Sequence, residues 1–404
     1  MNSQVQWLKG RGITAPQGFS AGAARGEIKT EGDDVALVLA SENATAAAVF
    51  TTNQVKAAPV LVSAEHLATG KARAIVVNAG NANCCTGARG LENARQMANL
   101  AAQKLVIGPD AVLVCSTGII GHQLPLEKVE NAISEIEMGR DDEKTARAFM
   151  TTDLVPKFCA VSLEIGGKTV TVGGQAKGVG MIGPNLAPLT LHATMLAFLT
   201  TDAQIERELL QKLLERAVAR SFNSVTVDGD TSTNDTAILL ASGESGCAIN
   251  AGNAALFSVL LDAVCVELSK KIARDGEGAT KLVEITVRGA KREADAQKIA
   301  LTIANSPLVK TAIFGKDPNW GRIAMAAGRA GVEFDSHNLS FSLGNIEMFR
   351  AGEPVDFVLS EAEAVLESEN VEITLDLGEG SANWTAWTCD FSYEYVKINA
   401  EYHT

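Results

Sequence analysis

Residues 177–198 read Lys177-Gly-Val-Gly-Met-Ile-Gly-Pro-Asn-Leu-Ala-Pro-Leu-Thr-Leu-His-Ala-Thr-Met-Leu-Ala-Phe198, a glycine-rich, proline-broken stretch that runs into an apolar strand. Three readings of it compete. Gly178, Gly180 and Gly183 match G-x-G-x-x-G, but that dinucleotide fingerprint needs a helix opening within it, so that the helix N-terminus faces a pyrophosphate. Pro184, Asn185 and Pro188 follow instead, and no amphipathic helix pattern begins before residue 202. The plainest reading is an irregular glycine loop feeding a core strand. The third is a self-processing nucleophile. If the bond between Ala193 and Thr194 is cut, the freed α-amine, with an ordinary pKa near ~8, becomes the base that a threonine hydroxyl lacks. The small Ala193 and the glycines before it suit a peptide bond that must bend toward attack by Thr194 Oγ.

Outward from this stretch, short β-like runs alternate with helical patterns. Residues 35–39, 47–51, 74–78 and 111–115 are apolar, partly β-branched and bounded by Gly, Asn or charge, and predict strands. The spacing over 91–105 predicts a helix, and 164–172 a hairpin turning at Gly166-Gly167. A helix over 206–222, with Thr201 or Asp202 as its cap, buries Leu210, Leu213, Leu214, Ala217 and Val218. A longer one over 254–273 turns Leu256, Val259, Leu260, Ala263, Val264 and Leu268 inward. From Lys281 the texture becomes β-rich, with one helix over 293–304 and strands at 283–287, 339–343, 371–375 and 383–390. The alternation predicts a layered α/β fold with a smaller C-terminal subdomain.

The chain has 404 residues, 48 acidic and 35 basic, for a formal charge of −13. That balance argues against a nucleic-acid partner, which draws on clustered Lys and Arg. No run approaches the ~18 apolar residues of a membrane span, and residues 1–12 have no apolar signal core, so the expected compartment is the cytoplasm. Seven cysteines without C-x-x-C spacing predict buried, reduced thiols rather than a disulfide or metal framework. Asp228-x-Asp230 lacks the evenly spaced oxygens of a calcium loop. The five histidines are scattered, which weakens a Ser-His-Asp or zinc proposal.

The segment Lys177-Gly-x-Gly-Met-Ile-x-Pro-Asn, followed by Ala193-Thr-Met-Leu-Ala-Phe198, resembles the cleavage signature of the ornithine acetyltransferase (glutamate N-acetyltransferase) family. Further blocks resemble the same family along nearly the whole chain. They include Phe50-Thr-Thr-Asn-Gln-Val-Lys-Ala-Ala-Pro59, Asn78-Ala-Gly-Asn-Ala-Asn83, Cys115-Ser-Thr-Gly-Ile-Ile-Gly121 and Met150-Thr-Thr-Asp153. Downstream come Asp228-Gly-Asp-Thr-Ser-Thr-Asn-Asp-Thr236, Gly276-Glu-Gly-Ala-Thr-Lys281, Asp317-Pro-Asn-Trp-Gly-Arg322 and Asn399-Ala-Glu-Tyr-His-Thr404. One departure is visible: six residues, Pro188-Leu-Thr-Leu-His-Ala193, stand between Ala187 and Thr194, where the family pattern runs straight into the threonine. Thr190 is a weaker rival nucleophile, because Leu189 and Leu191 fit the pattern poorly.

The resemblance implies a sandwich of mixed sheets flanked by helices, an N-terminal-nucleophile, ArgJ-like fold. Autocleavage between Ala193 and Thr194 would give an α chain, 1–193, and a β chain, 194–404, the latter divided into a core part, 194–280, and a subdomain, 281–404. It further implies an α2β2 heterotetramer. Thr194 is the nucleophile, and Thr117 and Gly118 form the oxyanion hole. Thr151, Lys177, Thr194, Glu277, Asn399 and Thr404 bind substrate. The implied reaction is ping-pong acetyl transfer from N2-acetylornithine to glutamate, in cyclic arginine biosynthesis, without cofactor or metal. Whether acetyl-CoA is a second donor stays open. Without the resemblance, Ser116-Thr-Gly118 is a turn ending a strand, Glu277 a solvated helix end, and Asn399 and Thr404 a frayed tail.

Overall fold

The computed structural model describes residues 5–183, 186 and 195–401. These fall into two compact units, one taking in residues up to 223 together with 230–268, the other 224–229 and 269–401.

In the first unit the strands are β1 (Gln6–Trp7), β2 (Phe19–Ala24), β3 (Val35–Ala40), β4 (Thr45–Phe50), β5 (Ala74–Asn81), β6 (Val112–Ile119), β7 (Lys157–Ile165), β8 (Lys168–Lys177), β9 (Leu196–Thr201), β10 (Gln204–Ile205), β11 (Thr236–Ala241) and β12 (Ala248–Ile249). They build a four-stranded sheet, β2-β3-β5-β6, a six-stranded sheet, β1-β7-β8-β9-β11-β4, and the short pair β10-β12. Successive side chains of a strand point to opposite faces, and the packing follows that period. Ala36, Val38, Ile75, Val77, Leu113 and Cys115 share one core with Phe198, Ile238 and Leu240 of the six-stranded sheet. Val35, Leu37, Val76 and Val114 face the other way. There they meet α1 (Ala58–Ala68), α2 (Gly87–Leu105) and α3 (Leu126–Glu135), through residues such as Val62, Met97, Ala101, Val129 and Ile133. A short helix, α4 (Asp142–Ala148), precedes β7, and α5 (Arg207–Ala219) follows β10. The hairpin between β7 and β8 turns at Gly166 and Gly167, whose φ of 61° and 77° suit residues without a Cβ. The layered α/β expectation holds.

The long helix α6 (Ala254–Arg274) crosses from the first unit's residues into the second's. The second unit continues with β13 (Leu282–Ala290), α7 (Glu293–Ala304), α8 (Pro307–Phe314), α9 (Trp320–Gly328), β14 (Ser340–Leu343), β15 (Ile346–Arg350), β16 (Glu353–Pro354), α10 (Leu359–Glu367), β17 (Asn370–Asp376), β18 (Ala382–Cys389) and α11 (Tyr393–Glu401). Its sheet runs β16-β15-β14-β17-β13-β18. No helix among the described residues is long and apolar enough to cross a membrane.

Several local expectations need correction. The second unit holds four further helices, α8 to α11, besides the one expected at 293–304. Helix α5 has Glu206 at its cap position without a side-chain cap; Asp202 instead accepts from the backbone N–H groups of Thr171 (2.9 Å) and Gln17 (3.2 Å). On α6, Leu256 and Val259 are exposed, and the buried ridge runs through Phe257, Leu260, Leu261, Val264 and Leu268. Six cysteines are buried as free thiols, but Cys85 is exposed.

Candidate active site

Strands β5 and β6 stay paired beyond the apolar run, so Thr117 and Gly118 lie within β6, opposite Ala79 and Gly80, rather than in a turn that ends it. Polar side chains carry the extension. Ser116 Oγ donates to Asn78 Oδ1 (2.6 Å), Asn78 Nδ2 to the Asn81 carbonyl (2.9 Å), and Asn234 Nδ2 to the carbonyls of Ala82 (2.6 Å) and Ser116 (2.8 Å). All of these groups are buried, so each bond satisfies a donor or acceptor that water cannot reach. At Gly118 the backbone irregularity is sharp: φ is +130°, and a Cβ built there would sit 2.3 Å from the Gly80 carbonyl carbon and 2.5 Å from Asn81 N. Both obstacles are backbone and cannot rotate away. Gly118→Ala is therefore expected to cost about 2–4 kcal/mol, read as a lowered thermal midpoint, together with loss of any activity that uses this segment.

Lys177 closes β8 and is 4% exposed. Its Nζ donates to Thr151 Oγ1 (2.9 Å) and Thr117 Oγ1 (3.4 Å), and stands 3.9 Å from Asp153 Oδ2. Three residues singled out from sequence, Thr117, Thr151 and Lys177, thus meet at one ammonium group, with Gly118 adjacent in the chain. Sequence reasoning missed what holds that ammonium. Asp153 is wholly enclosed, and its Oδ1 accepts from Lys157 Nζ (2.6 Å) and Gly178 N (2.9 Å), its Oδ2 from Thr151 N (3.1 Å). Burial alone would raise its pKa, but Lys177, Lys157 and the Gly178 N–H outweigh that and hold it down at about 2. The carboxylate is ionised, and two lysines face it. Asp153 stood in the Met150-Thr-Thr-Asp block without a role, and nothing local marks Lys157 as buried.

Asp235, just before β11, is also fully buried, and neither carboxyl oxygen has a hydrogen-bond partner among the described residues. Burial pushes its pKa well above the ordinary value, against the pull of Lys177.

In the second unit Asn399 Nδ2 donates to Glu277 Oε2 (2.9 Å) and to the Tyr395 carbonyl (3.0 Å), so two further sequence-predicted residues meet each other. Ala193, Thr194 and Thr404 lie outside the described residues, as do Thr190 and the whole of 188–193. Around the glycine run, Thr231 Oγ1 donates to the Gly183 carbonyl (3.1 Å). Leu186 is clasped by the Asn223 amide, which donates to its carbonyl (2.8 Å) and accepts from its N–H. No helix opens within 178–183, which removes the dinucleotide reading. Among the described residues no three His, Cys, Asp or Glu side chains group as metal ligands.

The ArgJ family model matches residues 20–404. An arginine biosynthesis bifunctional protein ArgJ from Gloeobacter violaceus is 50% identical over 414 aligned positions, covering 100% of both chains. A second, from Symbiobacterium thermophilum, is 48% identical and covers 99% of this chain and 100% of its own. Among solved structures, an ArgJ protein of Bacillus halodurans is 42% identical, covers 50% of this chain and 97% of its own, and superposes with a TM-score of 0.49. With a family match over 20–404 and relatives of such identity aligned from end to end, the chain belongs to the ArgJ family.

Proposed function

We propose that this chain is a glutamate N-acetyltransferase that moves the acetyl group of N2-acetyl-L-ornithine to L-glutamate through an ester on Thr194. The observation that carries the reading is the buried ammonium of Lys177, held between Thr151 and Thr117 beside the Gly118 backbone. One ionised carboxylate, Asp153, faces two lysines, so the cluster carries a net positive charge. Donor and acceptor are both α-amino acid derivatives with an α-carboxylate, and a positive, buried cluster favours that group.

The chemistry runs in two halves. Thr194 Oγ attacks the acetyl carbonyl while the α-amine freed by self-cleavage takes the hydroxyl proton. Negative charge on the carbonyl oxygen is met by backbone N–H and hydroxyl donors of Thr117 and Gly118, and ornithine leaves. The amine of glutamate then attacks the ester and regenerates the hydroxyl. The acetyl group travels on the enzyme, so no cofactor is called for. Glu277, with Asn399 against it, suits the side-chain ammonium of ornithine, and Thr404 completes the substrate contacts. The fragments are 1–193 and 194–404, assembled as α2β2 in the cytoplasm; acetyl-CoA remains a donor to be tested.

Incubation with N-acetylornithine, with and without glutamate, tests the reading. Release of ornithine that requires glutamate supports it, sustained release without glutamate makes the chain a hydrolase, and no release makes it a binding protein. N-terminal sequencing of the fragments locates the cut; a terminus at Thr190 or Pro188 in place of Thr194 overturns the assignment of the nucleophile. Lys177→Met is expected to raise KM for both amino-acid substrates by about 30-fold or more, because removal of one member of a buried charge cluster costs roughly 2–5 kcal/mol. Steady-state kinetics on the purified, cut enzyme checks this.

A further inference from the structure

The loop that follows β5 carries two adjacent thiols that the transfer chemistry does not use. Cys84 is fully buried and Cys85 exposed, and their sulfurs lie 3.8 Å apart. The chain bends tightly around them, with Asn83 at φ +47° and Cys85 at φ +58°, a region L-residues adopt sparingly. The same loop is bonded to the segment that carries Thr117 and Gly118. Ala82 N donates to the Ile119 carbonyl (3.0 Å), Gly121 N to the Cys84 carbonyl (3.0 Å), and Asn234 Nδ2 to the Ala82 carbonyl (2.6 Å) while it also holds Ser116. One residue before Ala82, Asn81 N leaves no space beside Gly118.

We propose that Cys84 and Cys85 form a thiol-modification site, a vicinal dithiol that closes to a disulfide by exchange with a small oxidised disulfide and thereby lowers acetyl transfer. Exposure makes Cys85 the attacking sulfur, and burial, which pushes the Cys84 thiol up, leaves Cys84 as the resolving one. In the first step the Cys85 thiolate attacks one sulfur of R–S–S–R and expels RS⁻. In the second, Cys84 sulfur attacks Cys85 Sγ and expels the other RS⁻. The two cysteines are oxidised, the small disulfide is reduced to two thiols, and the two cysteine protons end on them. Neighbouring Cα atoms are about 3.8 Å apart, below the usual ~4.4–6.8 Å span of a disulfide, so closure has to move the backbone at 84–85. The hydrogen bonds from Ala82 and to Cys84 carry that movement to Ile119 and Gly121, on either side of the residue after Ile119 and next to the oxyanion segment.

The activity readout rests on the transfer reading above, whereas the bond itself is read by mass. The cut enzyme is treated with oxidised glutathione and its Cys84–Cys85 peptide is weighed. The expected result is loss of two hydrogens from that peptide and a fall in acetyl transfer of about tenfold or more, as for a small misplacement of catalytic groups, reversed by dithiothreitol. Cys85→Ser should keep its basal activity and ignore the reagent, and Cys84→Ala should stop at the mixed disulfide on Cys85. A wild-type peptide that stays a dithiol or stops at the mixed disulfide overturns the site. A disulfide that forms without change in transfer overturns its control of the reaction. If the untreated wild type transfers no acetyl group, the transfer reading fails, and the peptide mass still decides whether the pair closes.

Discussion

Thr194→Ala is expected to remain one 404-residue chain on a denaturing gel and to lose glutamate-dependent ornithine release by at least about 10⁴-fold, the scale seen when a covalent nucleophile is removed. Both outcomes come from one oxygen. In the proposed reaction it attacks the Ala193 carbonyl before cleavage and carries the acetyl group afterwards. Alanine preserves the apolar context before Met195 and leaves the described parts of the site, Thr117, Thr151 and Lys177, untouched. Loss of cleavage with those parts intact would tie processing and transfer to the same hydroxyl. Thr194→Ser restores a hydroxyl and is expected to cut. If Thr194→Ala still divides before residue 194, the self-cleaving group lies elsewhere.

Asp153→Asn is expected to destabilise the protein by about 3 kcal/mol at neutral pH, since it removes the ionised carboxylate that faces two buried lysines. The loss has a pH signature. The Asp153 carboxyl is held at about 2 in the folded chain against an ordinary 3.8. Between those values the unfolded chain binds more protons than the folded one, so stability rises with pH across the window. The contribution, about 2 kcal/mol, is fully present above pH ~4 and is lost as pH falls through ~2. Denaturant unfolding of wild type and variant over that range checks it: the curves should lie apart at neutral pH and converge toward pH 2. Parallel curves would remove Asp153 from its role.

How much of this was legible in the sequence depended on whether a signal was local. The Gly166-Gly167 hairpin and strand β3 announce themselves through turn chemistry and β-branched runs. The apolar run of strand β6 is legible, but the strand continues past it to Ile119. Ser116-Thr-Gly118 looks like a turn unless Asn78 of β5 and Asn234, just before β11, are known to converge on Ser116 from two distant segments. Helix α6 is legible with its face partly rotated, because its first two turns leave Leu256 and Val259 outside. Of the site, Thr117, Gly118, Thr151 and Lys177 were reached through the family resemblance, and no periodicity marks them. Asp153 and Lys157 share an i, i+4 spacing that on a helix would be an ordinary exposed pair. They are buried because the chain enters β7 there, a fact that only tertiary structure supplies.

The order of the six-stranded sheet, β1-β7-β8-β9-β11-β4, has a consequence for the cut protein. Strands β9 and β11 belong to the downstream piece, while β8 on one side and β4 on the other belong to the upstream piece. Both pieces hydrogen-bond into one sheet and share its core. Severed before Thr194, the fold becomes a complex of two polypeptides, and its melting becomes a dissociation. Its thermal midpoint should then rise with protein concentration, whereas that of the uncut Thr194→Ala chain should not vary on this account.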